Sequence, residues 1–152
     1  MHFAVGDLFK TAGFWSAFCA WLVASVLKMA VNLHRTRRID FQYLVSLGGM
    51  PSAHSAMVSG LATSLGITEG FDSPMFVLAL AFAFVVMFDA STVRRATGQQ
   101  ARLLNQIVDD LFRQHHLPEN KLRELLGHTR TEVFVGMLVG ITVATAVNLL
   151  AG

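Results

Sequence analysis

The stretch FQYLVSLGGMPSAHSAMVSGLATSLGIT, residues 41–68, contains no charged side chain. A bilayer core about 30 Å thick needs roughly 20 mostly apolar residues to be crossed as a helix, and this stretch supplies the length. It is short of large apolar side chains, because Gly, Ala and Ser interrupt it throughout. A helix of such small residues suits a position where other helices approach it closely, better than one against lipid. The expectation is a central membrane helix over residues 50–68, and the rest of the chain must supply the helices around it.

Three further charge-poor runs do so. The first covers 11–33 if Lys28 snorkels or faces the protein interior. The next covers 73–93, with Pro74 suited to a first helical turn, and the last covers 131–151. The chain is therefore read as all-α, an integral membrane bundle of four transmembrane helices forming one domain over residues 1–152. Composition agrees: 53% of the 152 residues are hydrophobic and only 14% are charged, against about 25% charged in an ordinary soluble domain. Disordered, collagen-like and disulfide-scaffold classes are excluded. Cys19 is the single cysteine and forms no intrachain bridge. The first run is not read as a signal peptide, since it lacks a clear small-residue cleavage site and continues into Lys28 and His34.

Charge placement orients the bundle. Lys28, Arg35, Arg37 and Arg38 lie at the end of the first run or just after it, and Arg94, Arg95, Arg102, Arg113, Lys121, Arg123 and Arg130 fall between the third and fourth. With four crossings both groups share one face, and Glu69 and Asp72 lie on the other. The basic face is expected to be cytoplasmic with both termini opposite. Residues 99–116 place Leu103, Leu104, Ile107, Val108, Leu111 and Phe112 at helical spacing among charges. They are expected to form an amphipathic interfacial helix, followed by a short one over 118–126 that stops at Gly127. The expected partner is thus a bilayer and no nucleic acid.

Three clusters at the basic ends of the runs carry chemistry. Lys28 and Arg35 are seven apart, which in a helix returns both to nearly one face and lets both reach one anion. The rival reading is a snorkelling lysine followed by a positive-inside arginine. Gly48-Gly49-Met50-Pro51-Ser52-Ala53-His54-Ser55 combines glycines for close backbone approach, a proline at a helix start, and a serine beside exposed amides. It makes an anion cradle with His54 beside it, or else a Gly-Pro turn with an ordinary histidine. In Gly127-His128-Thr129-Arg130-Thr131-Glu132, a carboxylate four residues after a histidine can fix its tautomer across one turn. Thr129-x-x-Glu132 is equally a capping box. Asp89 with Arg94 and Arg95 adds a fourth group, or a helix-terminal ion pair.

In order, these clusters resemble the three signatures of the type 2 phosphatidic acid phosphatase superfamily, which includes lipid phosphate phosphatases and vanadium haloperoxidases. The superfamily pattern is Lys, six residues, Arg-Pro; then Pro-Ser-Gly-His; then Ser-Arg, five residues, His, three residues, Asp. Lys28 and Arg35 match in spacing, Pro51-Ser52-Ala53-His54 matches with Ala for Gly, and His128 with Glu132 matches with Glu for Asp. Gly-Gly-Met-Pro-Ser-Ala-His-Ser, Asp-Ala-Ser-Thr-Val-Arg-Arg and Leu-Gly-His-Thr-Arg-Thr-Glu-Val look more specifically like a small divergent branch. Thr36 replaces the signature proline, and Leu122 stands where the third signature has arginine. Arg94 or Arg95 is expected to supply that charge, with Lys121 and Arg123 as lesser substitutes.

The resemblance implies a metal-independent phosphatase without cofactor, acting on a lipid phosphate through a phosphohistidine. His128 is then the nucleophile, Glu132 holds its ring, and His54 is the proton donor and acceptor. Lys28, Arg35, Arg94, Arg95, Ser52 and Gly49 hold the phosphate oxygens, and Asp89 gives support. Expected substrates are phosphatidylglycerophosphate or phosphatidic acid, with polyprenyl phosphates or pyrophosphates as the alternative. The rivals are a noncatalytic anionic-lipid-binding protein, which leaves the two histidines unexplained, and a proton-coupled transporter, which needs Lys28, His54 or Asp89 near the bilayer midplane. Four spans where larger relatives have six make a homo-oligomer plausible, and Gly136-x-x-x-Gly140 is a packing motif for it or for contacts within the monomer.

Overall fold

A computed structural model of the chain describes residues 5–37, 49–112 and 128–151. These residues form a 3-10 helix over Val5–Lys10, then α1 (Ala12–Thr36), α2 (Ala53–Glu69), α3 (Pro74–Ser91), α4 (Val93–Phe112) and α5 (Arg130–Ala151), with no strand among them. The helix starts have local causes. Thr11, Ser52 and Ser73 each accept, on the side-chain oxygen, the backbone N–H three residues on, and Pro74 occupies the first turn of α3. α1 ends where Arg37 turns left-handed (φ 56°) and donates its N–H to the Leu33 carbonyl.

α2 is the central helix, in contact with α1, α3 and α5. Its small residues allow this. A Cβ on Gly60 would lie 3.0 Å from both the Ala20 side chain and the Ser16 carbonyl of α1. Toward α5, Cβ atoms at Gly136 and Gly140 would run into the Ser52 carbonyl and into Ser59 Oγ with the Ala56 carbonyl. The Gly136/Gly140 motif is therefore spent within the chain, where close backbone packing replaces the hydrophobic drive that lipid cannot provide. At the far end, Asn148 of α5 donates to Ser64 of α2 at 3.0 Å and to Ser16 of α1 at 3.3 Å, pinning three helices together. These contacts make α2 and α5 parallel, with α1 antiparallel to both.

Three stretches are long and apolar enough to cross a membrane: Ala12–His34, Pro74–Val108 and Arg130–Ala151. Large apolar side chains such as Leu22, Phe82, Phe84 and Leu138 point outward from them. The chain is an integral membrane protein. α2 has only 17 residues, about 25 Å of helix, and more than half of them are buried.

Two boundaries differ from expectation. The helix placed at 99–116 begins instead at Val93, and the third run ends at Ser91 rather than at 93. The run Val93-Arg-Arg-Ala-Thr-Gly has no apolar period to announce a helix, yet the backbone breaks only at Thr92. The N–H and hydroxyl of Thr92 both reach the Phe88 carbonyl, and its own carbonyl accepts the Ala96 N–H at 2.9 Å. α4 exposes Leu103, Leu104, Ile107 and Val108 and, among the described elements, touches α3 alone. Residues 113–116 and the short helix expected at 118–126 lie outside the described residues.

Candidate functional site

The site begins with Lys28, only 3% exposed although it lies on a membrane helix. Its methylene stem lies over Gly49, where an added Cβ would come within 3.1 Å of Lys28 Cδ. Gly49 also has φ +101°, so both the backbone and the neighbour call for glycine. A cis Met50–Pro51 bond follows, and then Ser52.

Ser52 and Ser55 are fully buried at the start of α2. Ser52 Oγ accepts the Ser55 N–H at 3.3 Å and the Ser55 hydroxyl at 3.0 Å. The Ser52 N–H donates to the Glu132 carbonyl at 3.0 Å. That bond sets the N-terminus of α2 beside the N-terminus of α5, so two positive dipole ends open on one place. His54, half-buried in the first turn of α2, shares that end of the bundle with His128.

His128, 2% exposed, stands two residues before α5. Its Nδ1 lies 3.3 Å from Glu132 Oε2. The same oxygen accepts the Thr129 N–H at 2.8 Å, while Thr129 Oγ1 accepts the Glu132 N–H at 3.2 Å. The capping box and the histidine contact are thus made together by one carboxylate. Glu132 is also within Coulombic reach of the Lys28 ammonium. Lys28, Gly49, Ser52, His128 and Glu132 therefore converge, joined by contacts between α1, α2 and α5.

Arg35 is helical two turns beyond Lys28, and Arg94 and Arg95 belong to the first turn of α4; their side chains lie outside the described structure. Asp89 lies in the last turn of α3, beside a hollow of about 480 Å³ shared with Phe84, Phe88 and Val93. Among the described residues no group of three or more His, Cys, Asp or Glu side chains is arranged to hold a metal.

Three polar residues at this end were not singled out by sequence reasoning. Ser55 bonds to Ser52, while Ser25 and Asn32 are buried on α1 to either side of Lys28. The signal for the last two was present as spacing, since positions 25, 28 and 32 share one helical stripe.

A family model described as "Divergent PAP2 family" matches residues 9–143. The chain is 39% identical over 137 residues to the uncharacterized membrane protein YuiD of Bacillus subtilis (strain 168), covering 83% of this chain and 87% of that one. No solved structure gives a significant match.

Proposed function

The chain belongs to the divergent PAP2 family, and from that membership we propose that it is a membrane phosphatase cleaving lipid phosphomonoesters through a phosphohistidine. The observation that carries the proposal is the convergence of buried Lys28, Ser52 and His128 with half-buried Glu132 at two adjoining helix N-termini. A buried cation, paired amide ends and a carboxylate-held imidazole suit a tetrahedral oxyanion.

His128 attacks phosphorus through Nε2 while Nδ1 remains on Glu132, which offsets the positive charge forming on the ring. The bond from phosphorus to the lipid oxygen breaks, and protonated His54 delivers its proton to the departing alkoxide. The neutral His54 then takes a proton from water as that water attacks the phosphohistidine. Inorganic phosphate leaves and both imidazoles are restored. Lys28, Ser52, the Gly49 region, Arg35 and Arg94 or Arg95 hold the nonbridging oxygens, whose charge shifts in the transition state. Asp89 supports the arginines.

In this reading α2 is a fourth crossing, both histidines lie at the basic, cytoplasmic rim, and α4 lies along that interface. An apolar cleft of about 420 Å³ between α2, α3 and α5 begins at Ser59, two turns along α2 from Ser52, and is lined also by Leu80, Met87, Met137 and Ile141 among others. It suits a hydrocarbon chain hanging from a phosphate held at the rim. Phosphatidic acid and phosphatidylglycerophosphate, with phosphate at headgroup depth, are the favoured substrates; a polyprenyl phosphate is the second reading because the cleft alone does not distinguish it.

The test is phosphate release by purified protein from vesicles of defined lipid phosphates. Release from at least one lipid by wild type, and not by His128→Ala, is expected. No release from any would return weight to a noncatalytic lipid-binding role.

A further inference from the structure

At the end of the bundle opposite the histidines, the start of the chain carries a group of aromatic rings for which the reaction above has no use. The backbone enters α1 through an extended Thr11 (φ −88°, ψ 132°), so the Val5–Lys10 helix does not continue the α1 axis. The Leu8 carbonyl accepts both the N–H and the hydroxyl of Thr11, and the Trp15 indole N–H donates to the Phe9 carbonyl at 2.8 Å. Those bonds fasten the 3-10 helix to the first turn of α1. Edge-to-face contacts of 5.0 Å between Phe9 and Phe14 and 5.4 Å between Phe14 and Trp15 complete a knot of rings.

The knot is well built yet uncovered. Leu8 and Phe9 are 52% and 51% exposed, and Trp15 and Phe18 are exposed beside them. Side chains three apart eclipse in a 3-10 helix, so Asp7 and Lys10 share one edge of it, where they form an exposed ion pair at 2.8 Å. Leu8 and Phe9 occupy the other edges. Rings and hydrated charges within one turn of each other suit neither water nor hydrocarbon alone. They suit the boundary between the two, where aromatic bodies sink and charges stay wet.

Length along α1 supports that placement. Arg35 stands twenty residues after Trp15, about 30 Å of helix and the thickness of a hydrocarbon core. Leu22, Val26 and Leu33 are exposed along that length. With the rings at one boundary, Arg35 reaches the other and Lys28 lies two turns inside it.

We propose that Phe9, Phe14 and Trp15 form the interfacial anchor of the bundle. They dock in the headgroup–acyl boundary of the phospholipid leaflet opposite the histidines, and so set the level of Lys28 and Arg35 against the other leaflet. A second copy of the chain is the rival occupant of these rings.

The chain has two tryptophans, Trp15 and Trp21, and the second lies about 9 Å further along α1. They make an internal depth gauge. The full chain is reconstituted in phosphatidylcholine vesicles brominated either near the top or near the middle of the acyl chains, and fluorescence is read from Trp21→Phe, which leaves Trp15, and from Trp15→Phe, which leaves Trp21. The ratio of shallow to deep quenching should exceed one for Trp15 and fall below one for Trp21. Phe9→Asp, added to Trp21→Phe at an exposed position, should keep the unfolding temperature in detergent, lower the shallow quenching of Trp15 and open it to iodide present on both sides of the membrane. Equal ratios for the two tryptophans would overturn the assignment, as would a Phe9→Asp variant with the profile of its parent. Trp15 quenched by iodide as fully as a free indole would place the rings in water and overturn it. Trp15 reached by neither bromine nor iodide would give the rings to a second copy and overturn it too.

Discussion

Glu132 Oε2 lies 3.3 Å from His128 Nδ1 and at the same time closes the capping box of α5 through the Thr129 N–H. One oxygen thereby fixes the start of the helix and the attitude of the imidazole that precedes it. The two duties separate on substitution. Glu132→Gln keeps an acceptor for the Thr129 N–H and loses the charge. It should melt near wild type while phosphate release falls on the order of 10²-fold or more, as when a triad carboxylate is made neutral. Glu132→Ala should lose the same activity and also about 0.5–2 kcal/mol of stability through the missing cap. Thermal unfolding in detergent, run beside the assay, checks both; a Gln variant as active as wild type would reduce Glu132 to a helix cap.

Gly136 faces the Ser52 carbonyl, so a methyl group there has backbone to displace and not the tip of a flexible side chain. Gly136→Ala should cost about 1–3 kcal/mol and, by moving Ser52 away from Glu132, remove most activity. Gly140→Ala meets Ser59 and Ala56 deeper in the bundle and should destabilise comparably. Because both glycines pack inside the chain, neither change should alter the oligomeric state seen by light scattering.

Lys28 joins the membrane helix to the proposed anion site, and its stem and its charge can be tested apart. Lys28→Met preserves the contact with Gly49 and removes the ammonium. The variant should fold at least as well, since a buried charge is costly to retain, while kcat/KM falls on the order of 10²–10³-fold. Circular dichroism and steady-state kinetics measure the two halves. A Met variant with full activity would make Lys28 a structural lysine.

Vanadate adopts the trigonal-bipyramidal geometry of phosphorus in transfer, and cations with amide dipoles are expected to hold it. Inhibition competitive with lipid phosphate and undiminished by a chelator is the expected outcome. Activity abolished by the chelator and restored by a divalent ion would contradict a site built from positioned cations.

Much of this architecture was legible before any coordinates. Small residues from Ala53 to Glu69 announced a helix packed on several sides, and the clusters that carry the family resemblance include Lys28, Ser52, His128 and Glu132, which the fold brings together. The start of α4 was not legible, because polar Arg94, Arg95, Thr97 and Gly98 give no apolar period and only the backbone bonds at Thr92 reveal continuity. Ser25 and Asn32 were legible only as members of one helical stripe with Lys28. A single polar residue in an apolar run does not declare which way it faces, and only packing of α1 against its neighbours showed both turned inward beside Lys28. The choice between cap and catalytic partner at Glu132 was unreadable as an alternative because the fold makes both contacts with the same atom.

The central claim is that His128 and His54 serve one phosphate from the same rim, and covalent trapping tests it most directly. Protein quenched during turnover of a ³²P-labelled aryl phosphate, whose leaving group needs no protonation, should carry alkali-stable, acid-labile label on His128. His128→Ala should carry none, and His54→Ala should accumulate it, because water is no longer activated. Label on another residue, label retained in His128→Ala, or turnover unaffected by either substitution would contradict the account.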